Sequence, residues 1–399
     1  MQHGGIVEVR ILFVTPAYVP AWTFGGVVTC THRLFREMVS LGDDVTVYTT
    51  DAGLPSDDEG AQTGFCVIDG VKVHYFKCDC RRPIFSRALT RKTRESIRDF
   101  DLMHLAAVWQ PLSLGVRRAA VNAGCPYVLQ IHGSLDVWPR RHKRWKKLLY
   151  YLFIERQDIR FAAGISYTSK MEMAGSSCFA RRGQELCVIP NGVNFAQWPR
   201  DDEGGRRWRA DIGITNDTYL YLSVGRLHYK KGFELVVRAL APLRGRDWHL
   251  AFVGEDEDGT KANLVRLVSD LELTDHISFH STVSESRLPA IYSAGDLFVL
   301  PSYHENFGNV VLEALSCGCP VLISDQVAIL EYLVGIQGVM VRSRDLSLWS
   351  EALASALSRR DDLKISPHGR DELERIFSVS NSARKMMEFN NRVIARSRT

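Results

Sequence analysis

The sequence predicts an α/β protein of two doubly wound parallel-sheet domains, on three observations. Short apolar runs alternate with amphipathic stretches of helical period along nearly the whole chain, the pattern of buried parallel strands joined by crossover helices. The alternation starts twice, once at Val9 and again at Tyr219. Between the two series lies a polar stretch, Asn194 to Asp217, that carries Pro199, Gly204 and Gly205 and reads as a domain junction. At 399 residues the chain has room for such a pair, since domains usually take roughly 100–200 residues each.

The first series opens on Val9 to Thr15, Val-Arg-Ile-Leu-Phe-Val-Thr, a buried strand. A loop bearing Pro16 and Gly26 leads into a helix from about Val27 to Leu41, which Gly42 stops, and Asp44 to Thr50 is the next strand. Further strands are expected at Leu102 to Ala106, Pro126 to Ile131, Gly164 to Thr168 and Cys187 to Ile189. The second series starts with the strand Tyr219 to Val224 and a helix from about Phe233 to Leu240. Strands His249 to Val253, Ile277 to His280, Leu297 to Leu300 and Pro320 to Ser324 continue it. The expected domains are therefore 1–193 and 194–379, facing each other across a cleft. Open α/β sheets bind ligands beyond the carboxyl ends of their strands, so the loops just after these strands are where chemistry is sought.

Composition narrows the class. Hydrophobic residues at 45% and charged residues at 24% exclude a disordered, collagen-like or coiled-coil chain. No window of 18 apolar residues suggests a membrane span, and Met1 to Val9 lacks the basic and apolar regions of a signal peptide. A cytoplasmic location is expected. The nine cysteines form no C-x-x-C pair and no zinc spacing, so reduced structural thiols are expected.

Charge divides unevenly. Residues 1–190 carry 25 Lys and Arg against 18 Asp and Glu, and the remainder 25 against 28. The surplus gathers in Arg81 to Arg98 and Arg140 to Lys147, and the second run is interleaved with Trp145, Tyr150 and Phe153. Such a helix suits either an anionic membrane surface or a solvated face with its apolar side in the core. No base-reading motif accompanies the charge, so no nucleic-acid partner is expected.

Four strand-end loops could carry chemistry. Pro301-Ser-Tyr-His-Glu-Asn-Phe-Gly-Asn-Val-Val-Leu-Glu follows a strand and enters a helix near Gly308 or Asn309. The amides from Phe307 to Val310 would form a helix N-terminus, an anion site through its free N–H groups. Glu305 lies in the loop and Glu313 on the second helical turn, polar among Val310, Val311, Leu312, Ala314 and Leu315; a buried carboxylate needs a partner, which a sugar diol supplies. Either that, or Glu313 faces solvent. Val224-Gly-Arg-Leu-His-Tyr-Lys-Lys-Gly places Arg226 and Lys231 where a planar fork and a point charge can meet one anion. His132, in Leu129-Gln-Ile-His-Gly, ends a first-domain strand and could bond a substrate hydroxyl or move a proton, or fill a purely structural place. Gly25 and Gly26, in Thr23-Phe-Gly-Gly-Val-Val, let backbone amides approach a phosphate but do not complete the dinucleotide fingerprint. The acidic run Glu255-Asp-Glu-Asp could suit a metal, but reads as a solvated turn, so no metal site and no cofactor are expected.

Together these residues resemble glycosyltransferase family 4, the retaining nucleotide-sugar transferases of GT-B fold. The resemblance runs through Gly25-Gly26, His132, Pro190-Asn-Gly-Val, Gly225-Arg-Leu with Lys231-Gly232, and Glu305 eight residues before Glu313. It implies a hexosyl transfer from a nucleoside-diphosphate sugar to a glycan or lipid-linked glycan. Arg226 and Lys231 would neutralise the diphosphate without a metal; Glu313 would take the ribose hydroxyls and Glu305 those of the transferred sugar. Asn306 and the backbone of Phe307, Gly308, Asn309 and Val310 would support sugar and phosphate. His132 would contact the donor sugar from the opposite domain, and Gly26 would approach the phosphate. A C-terminal helix at about 380–396 would return to the first domain, although its Asn390-Asn391 pair has low helix propensity. The basic first half fits an acceptor at the inner face of the cytoplasmic membrane, as in polysaccharide assembly. A nucleotide-sugar epimerase of the same fold and a non-catalytic subunit of a transferase complex are the competing readings; the second would be expected to lack Glu305, Arg226 or Lys231, which are all present.

Overall fold

The computed structural model describes residues 8–54, 63–133 and 150–398. Its contacts divide the chain into an N-terminal unit, residues 1–192 with 379–399, and a C-terminal unit, residues 193–378.

The N-terminal sheet takes strands β1 (Arg10–Val14), β2 (Asp44–Thr50), β3 (Gly64–Ile68) and β4 (Val71–Phe76) from its first half. A short hairpin of β5 (Cys80–Arg81) and β6 (Ile84–Phe85) stands apart from it. β7 (Leu102–Leu105), β8 (Tyr127–Gln130), β9 (Gly164–Tyr167) and β10 (Glu185–Val188) complete the sheet. The order is β10-β9-β8-β7-β1-β2-β4-β3, parallel throughout except for β3 against β4. The strands β1, β7, β8 and β9 are almost wholly buried on both faces, as strands covered by helices on either side must be, and include the buried polar His104 and Gln130.

Two helices matter most for the N-terminal unit. The helix Gly26–Ser40 follows β1 and buries Val28, Phe35 and Met38. The helix Val379–Ser397 closes the chain and packs Ala383, Met386, Phe389 and Val393 into the same core as Phe13 and Phe35. Asn390 sits on its buried face, so tertiary burial overrides the weak helix propensity of the Asn390-Asn391 pair.

In the C-terminal unit the sheet takes β11 (Tyr219–Val224), β12 (Trp248–Val253), β13 (Ile277–His280), β14 (Leu297–Leu300), β15 (Val321–Ser324) and β16 (Val339–Arg342). It is wholly parallel, in the order β13-β12-β11-β14-β15-β16. The strands β3, β4 and β16 and the β5–β6 hairpin were not anticipated; β3 and β16 lie at sheet edges with side chains partly or fully exposed, and β4 alternates buried and open positions.

Strand order sets where ligands belong. In the C-terminal sheet the chain winds outward from β11 to β13, then returns to the other side of β11 with β14, so the switch lies between β11 and β14. In the N-terminal sheet the return falls between β1 and β7. At such points the loops diverge and leave a crevice beyond the strand ends.

Candidate active site

At the C-terminal switch point the loops after β11 and β14 are joined. Tyr303 N–H donates to the Lys230 carbonyl at 2.8 Å, and Lys231 Nζ meets Glu305 Oε2 at 2.6 Å. Both side chains of this pair are about one-fifth exposed, so the pair is reachable yet partly shielded from water. Gly232 is in the left-handed region at φ +65°, and a Cβ there would lie 2.7 Å from the Pro301 carbonyl; the two loops approach so closely because this residue has no side chain. Glu305 is fixed by its backbone as well, donating to Gln326 and accepting from Ala328 at 3.0 Å each.

The helix Asn309–Ser316 begins just beyond, with Gly308 as its N-cap at φ +95°. A Cβ on Gly308 would come within 2.9 Å of Val327, so the entry to this helix requires glycine. Phe307 is buried against Phe377 and Val310 leans on the same core, so their side chains anchor the loop and only their backbone is available to a ligand. Glu313 is half-buried and accepts a hydrogen bond from Tyr292 at 2.9 Å. Burial, and then the neighbouring carboxylate, hold the Tyr292 phenol far above its usual pKa, so it remains a donor. This corrects the expectation that Glu313 depends on a ligand for its partner: the protein supplies one and aims the carboxylate with it.

Arg226 is held differently. Its guanidinium bonds Glu257 at 2.7 Å, with side chains 57% and 42% exposed. An ion pair this open contributes only about 0–1 kcal/mol, so exchanging the carboxylate for a phosphate costs little. Glu257 belongs to the acidic run after β12, which is an exposed turn as expected and also ties neighbouring loops together. Glu255 accepts from Thr282 N–H, Asp256 from Lys261 N–H, and Asp258 from Tyr229 N–H and from Thr260. Among the described residues no group of three or more His, Cys, Asp or Glu could hold a metal ion.

Sequence reasoning missed Arg344, after β16. Its guanidinium lies 3.5 Å from the Tyr303 ring centroid and 3.4 Å from Glu234, and Tyr303 itself donates to Glu234 at 2.9 Å. This cluster props the joined loops from behind. A lone Arg far along the chain carries no spacing signal that would have found it.

At the N-terminal switch point Gly25 and Gly26 open the helix Gly26–Ser40, with Gly26 exposed. The loops after β1, β7 and β8 line a hollow of about 210 Å³ that includes Thr15, Phe24, Val27, Thr31, Gln110, Gln130 and His132. His132 has left-handed backbone at φ +46°, uncommon for a residue with a side chain. The turn is fixed by the buried carboxylate of Glu172, which accepts from Gly133 N–H and from Thr168. Burial pushes the His132 imidazole down to about 4, so the ring is neutral near pH 7 and is a hydrogen-bonding group there, not a charged one. Its Nε2 lies 3.0 Å from Gln130 Oε1.

The basic run Arg140 to Lys147 with Trp145 lies outside the described residues; Tyr150 and Phe153 lie within them, and Phe153 is exposed. Among the described residues no helix is long and apolar enough to cross a membrane. All nine cysteines are free thiols.

Two domains on largely parallel sheets, each with a glycine-bounded helix N-terminus at its switch point, are the architecture of the GT-B fold. Comparison with known proteins agrees. Residues 25–192 match the model of the glycosyl transferase 4-like domain and residues 205–368 that of glycosyl transferases group 1, and the two together take in most of the chain. The chain belongs to glycosyltransferase family 4. Among its relatives are D-inositol 3-phosphate glycosyltransferases. That of Nocardia farcinica is 32% identical over 186 residues, 44% of this chain and 41% of the relative. That of Salinispora tropica is 30% identical over 227 residues, 53% and 47% respectively. The match thus spans less than half the length of these curated relatives. In fold the chain is similar to HepE of Anabaena, solved with UDP and glucose, at TM-score 0.76, 18% identity and 96% and 99% coverage of the two chains. It is similar also to sucrose-phosphate synthase of Thermosynechococcus elongatus, at TM-score 0.78, 19% identity and 98% and 100% coverage.

Proposed function

We propose that the protein transfers a hexosyl unit from a UDP- or GDP-sugar to a hydroxyl of a glycan or lipid-linked glycan, with retention of configuration and without a metal ion. The observation that carries this reading is the Lys231–Glu305 pair at the β11–β14 switch point. It sets a cation fit for a diphosphate 2.6 Å from a carboxylate fit for sugar hydroxyls, on a loop that runs directly into a helix N-terminus.

Chemically, the bond from the anomeric carbon to the phosphate oxygen breaks and its electron pair passes to the nucleoside diphosphate. Arg226, Lys231 and the amides at Gly308 and Asn309 stabilise that charge in place of a metal. The acceptor oxygen bonds to the anomeric carbon on the face the phosphate leaves, and its proton passes to the departing phosphate. Glu313, aimed by Tyr292, takes the ribose hydroxyls, and Glu305 those of the sugar. His132 offers a neutral nitrogen to a substrate hydroxyl. The basic N-terminal half supports an acceptor presented at an anionic membrane surface, and the names of the curated relatives make D-inositol 3-phosphate a second acceptor to try.

Calorimetric titration with UDP, GDP and ADP in EDTA tests this reading, on the wild type and on Arg226→Ala. Metal-free binding of one nucleotide, weakened in the variant by at least ~1.5 kcal/mol, is the expected result. Binding of none of the three overturns the reading.

A further inference from the structure

His132 is the end of a buried hydrogen-bonded chain that the proposed reaction does not by itself explain. Gln130 Nε2 lies 3.0 Å from His104 Nδ1, and His104 Nε2 lies 3.0 Å from Asn390 Oδ1 on the C-terminal helix. Gln130, His104 and Asn390 are each at most 4% exposed. The chain has a direction. An amide oxygen only accepts and an amide nitrogen only donates. With the amides in this orientation, His132 Nε2 carries the hydrogen that Gln130 Oε1 accepts. Gln130 in turn donates to a bare His104 Nδ1, and the His104 Nε2–H donates to Asn390. Reversing any one member would set two donors or two acceptors face to face, so all four reverse together or not at all.

We infer that Gln130, His104 and Asn390 are positioning residues that fix His132 as its Nε2–H tautomer and so leave Nδ1 as a hydrogen-bond acceptor. With Nε2 committed, Nδ1 has no partner among the described residues, and it belongs to a side chain that lines the hollow at the β1–β7 switch point. Burial drives both His104 and His132 down to about 4, so both rings are neutral and the direction of the chain is a choice between tautomers and not between charge states. The helix that ends the chain, contributing Asn390, thereby sets which atom the first sheet offers to a substrate hydroxyl. The consequence for turnover rests on the transferase reading; the tautomer does not.

The test is imidazole 15N NMR on histidine-labelled full-length protein, with His132→Gln to assign the signal, alongside steady-state kinetics. In the wild type His132 is expected with a protonated Nε2 and a bare Nδ1. Asn390→Asp keeps an acceptor at the end of the chain and is expected to keep that signature and kcat. Asn390→Leu removes it; His132 is expected to move toward the Nδ1–H form, with kcat lowered several-fold and the KM for the nucleotide sugar unchanged. A wild-type His132 protonated at Nδ1 overturns the inference, as does an Asn390→Leu variant with an unchanged His132 signal. The wild-type spectrum decides even if a variant folds poorly. A protein with the expected spectrum that turns over no acceptor would count against the transferase reading and leave the relay standing.

Discussion

The carboxyl edges of the two sheets share a topology and differ in their chemistry. At the β11–β14 edge ion pairs dominate: Lys231 meets Glu305, Arg226 meets Glu257, and Arg344 lies against Glu234. At the β1–β7 edge the working groups are neutral, a line of His132, Gln130, His104 and Asn390. Under the proposed function, the difference follows from what each edge would meet. A diphosphate gathers charge as it leaves, and only preorganised cations and helix amides can take that up. A sugar hydroxyl carries no charge, and a neutral acceptor held in one tautomer discriminates orientation without the desolvation cost of a buried ion.

Breaking the ionic edge has the largest expected effect. Lys231→Ala removes the diphosphate's point charge and leaves Glu305 without its cation. A charge-assisted bond contributes about 1.5–3 kcal/mol, so kcat/KM for the nucleotide sugar should fall by about 10- to 100-fold. Steady-state kinetics at fixed ionic strength measures it, and a change under threefold would remove Lys231 from the site.

The contrast between the edges also decides how much of each was legible in the sequence. Arg226, Lys231, Glu305 and Glu313 stand out because charged residues beside glycines at strand ends have few structural uses, and their spacing survives in one short segment. The strands β11 and β14 were bounded correctly because parallel strands buried on both faces read as apolar runs. The neutral relay was not legible: His104 and Gln130 lie inside strands that read as core, and Asn390 is 286 residues from the histidine it binds. Asn390 even counted against its own helix, since propensity is local and the bond that justifies it is not. Tyr292 and Arg344 escaped for the same reason, each acting through a contact that only the fold creates.

Acidification sharpens the comparison from the neutral edge. His104 and His132 have folded pKa values of about 4, while an unfolded histidine titrates near 6.5. The unfolded state therefore takes up protons first as the pH falls, and the stability present above about pH 7 is lost between 6.5 and 4. Glu155 acts in the opposite sense: burial raises it to about 8, so the folded state holds a proton that the unfolded state releases. Comparison of the wild type with His104→Gln separates the two. Urea midpoints at pH 7 and pH 5 should show a smaller acid-induced loss in the variant, by about 1 kcal/mol or more. An equal loss would mean that His104 is not held neutral by the fold.

The smallest expected effect on stability falls on the most exposed pair and separates positioning from folding. Glu257→Gln removes the carboxylate that holds Arg226, in a pair whose openness limits its contribution to stability to under about 1 kcal/mol. The melting temperature should barely move. The guanidinium, however, is released from the place where the β12 loop holds it, so the apparent affinity for the nucleotide should fall two- to fivefold if Glu257 preorients Arg226, and rise if Glu257 merely competes with the phosphate for it. Calorimetric titration with the nucleotide that binds the wild type distinguishes the two signs. An unchanged affinity would show that the acidic run contributes only its loop hydrogen bonds, and that Arg226 finds the diphosphate without help.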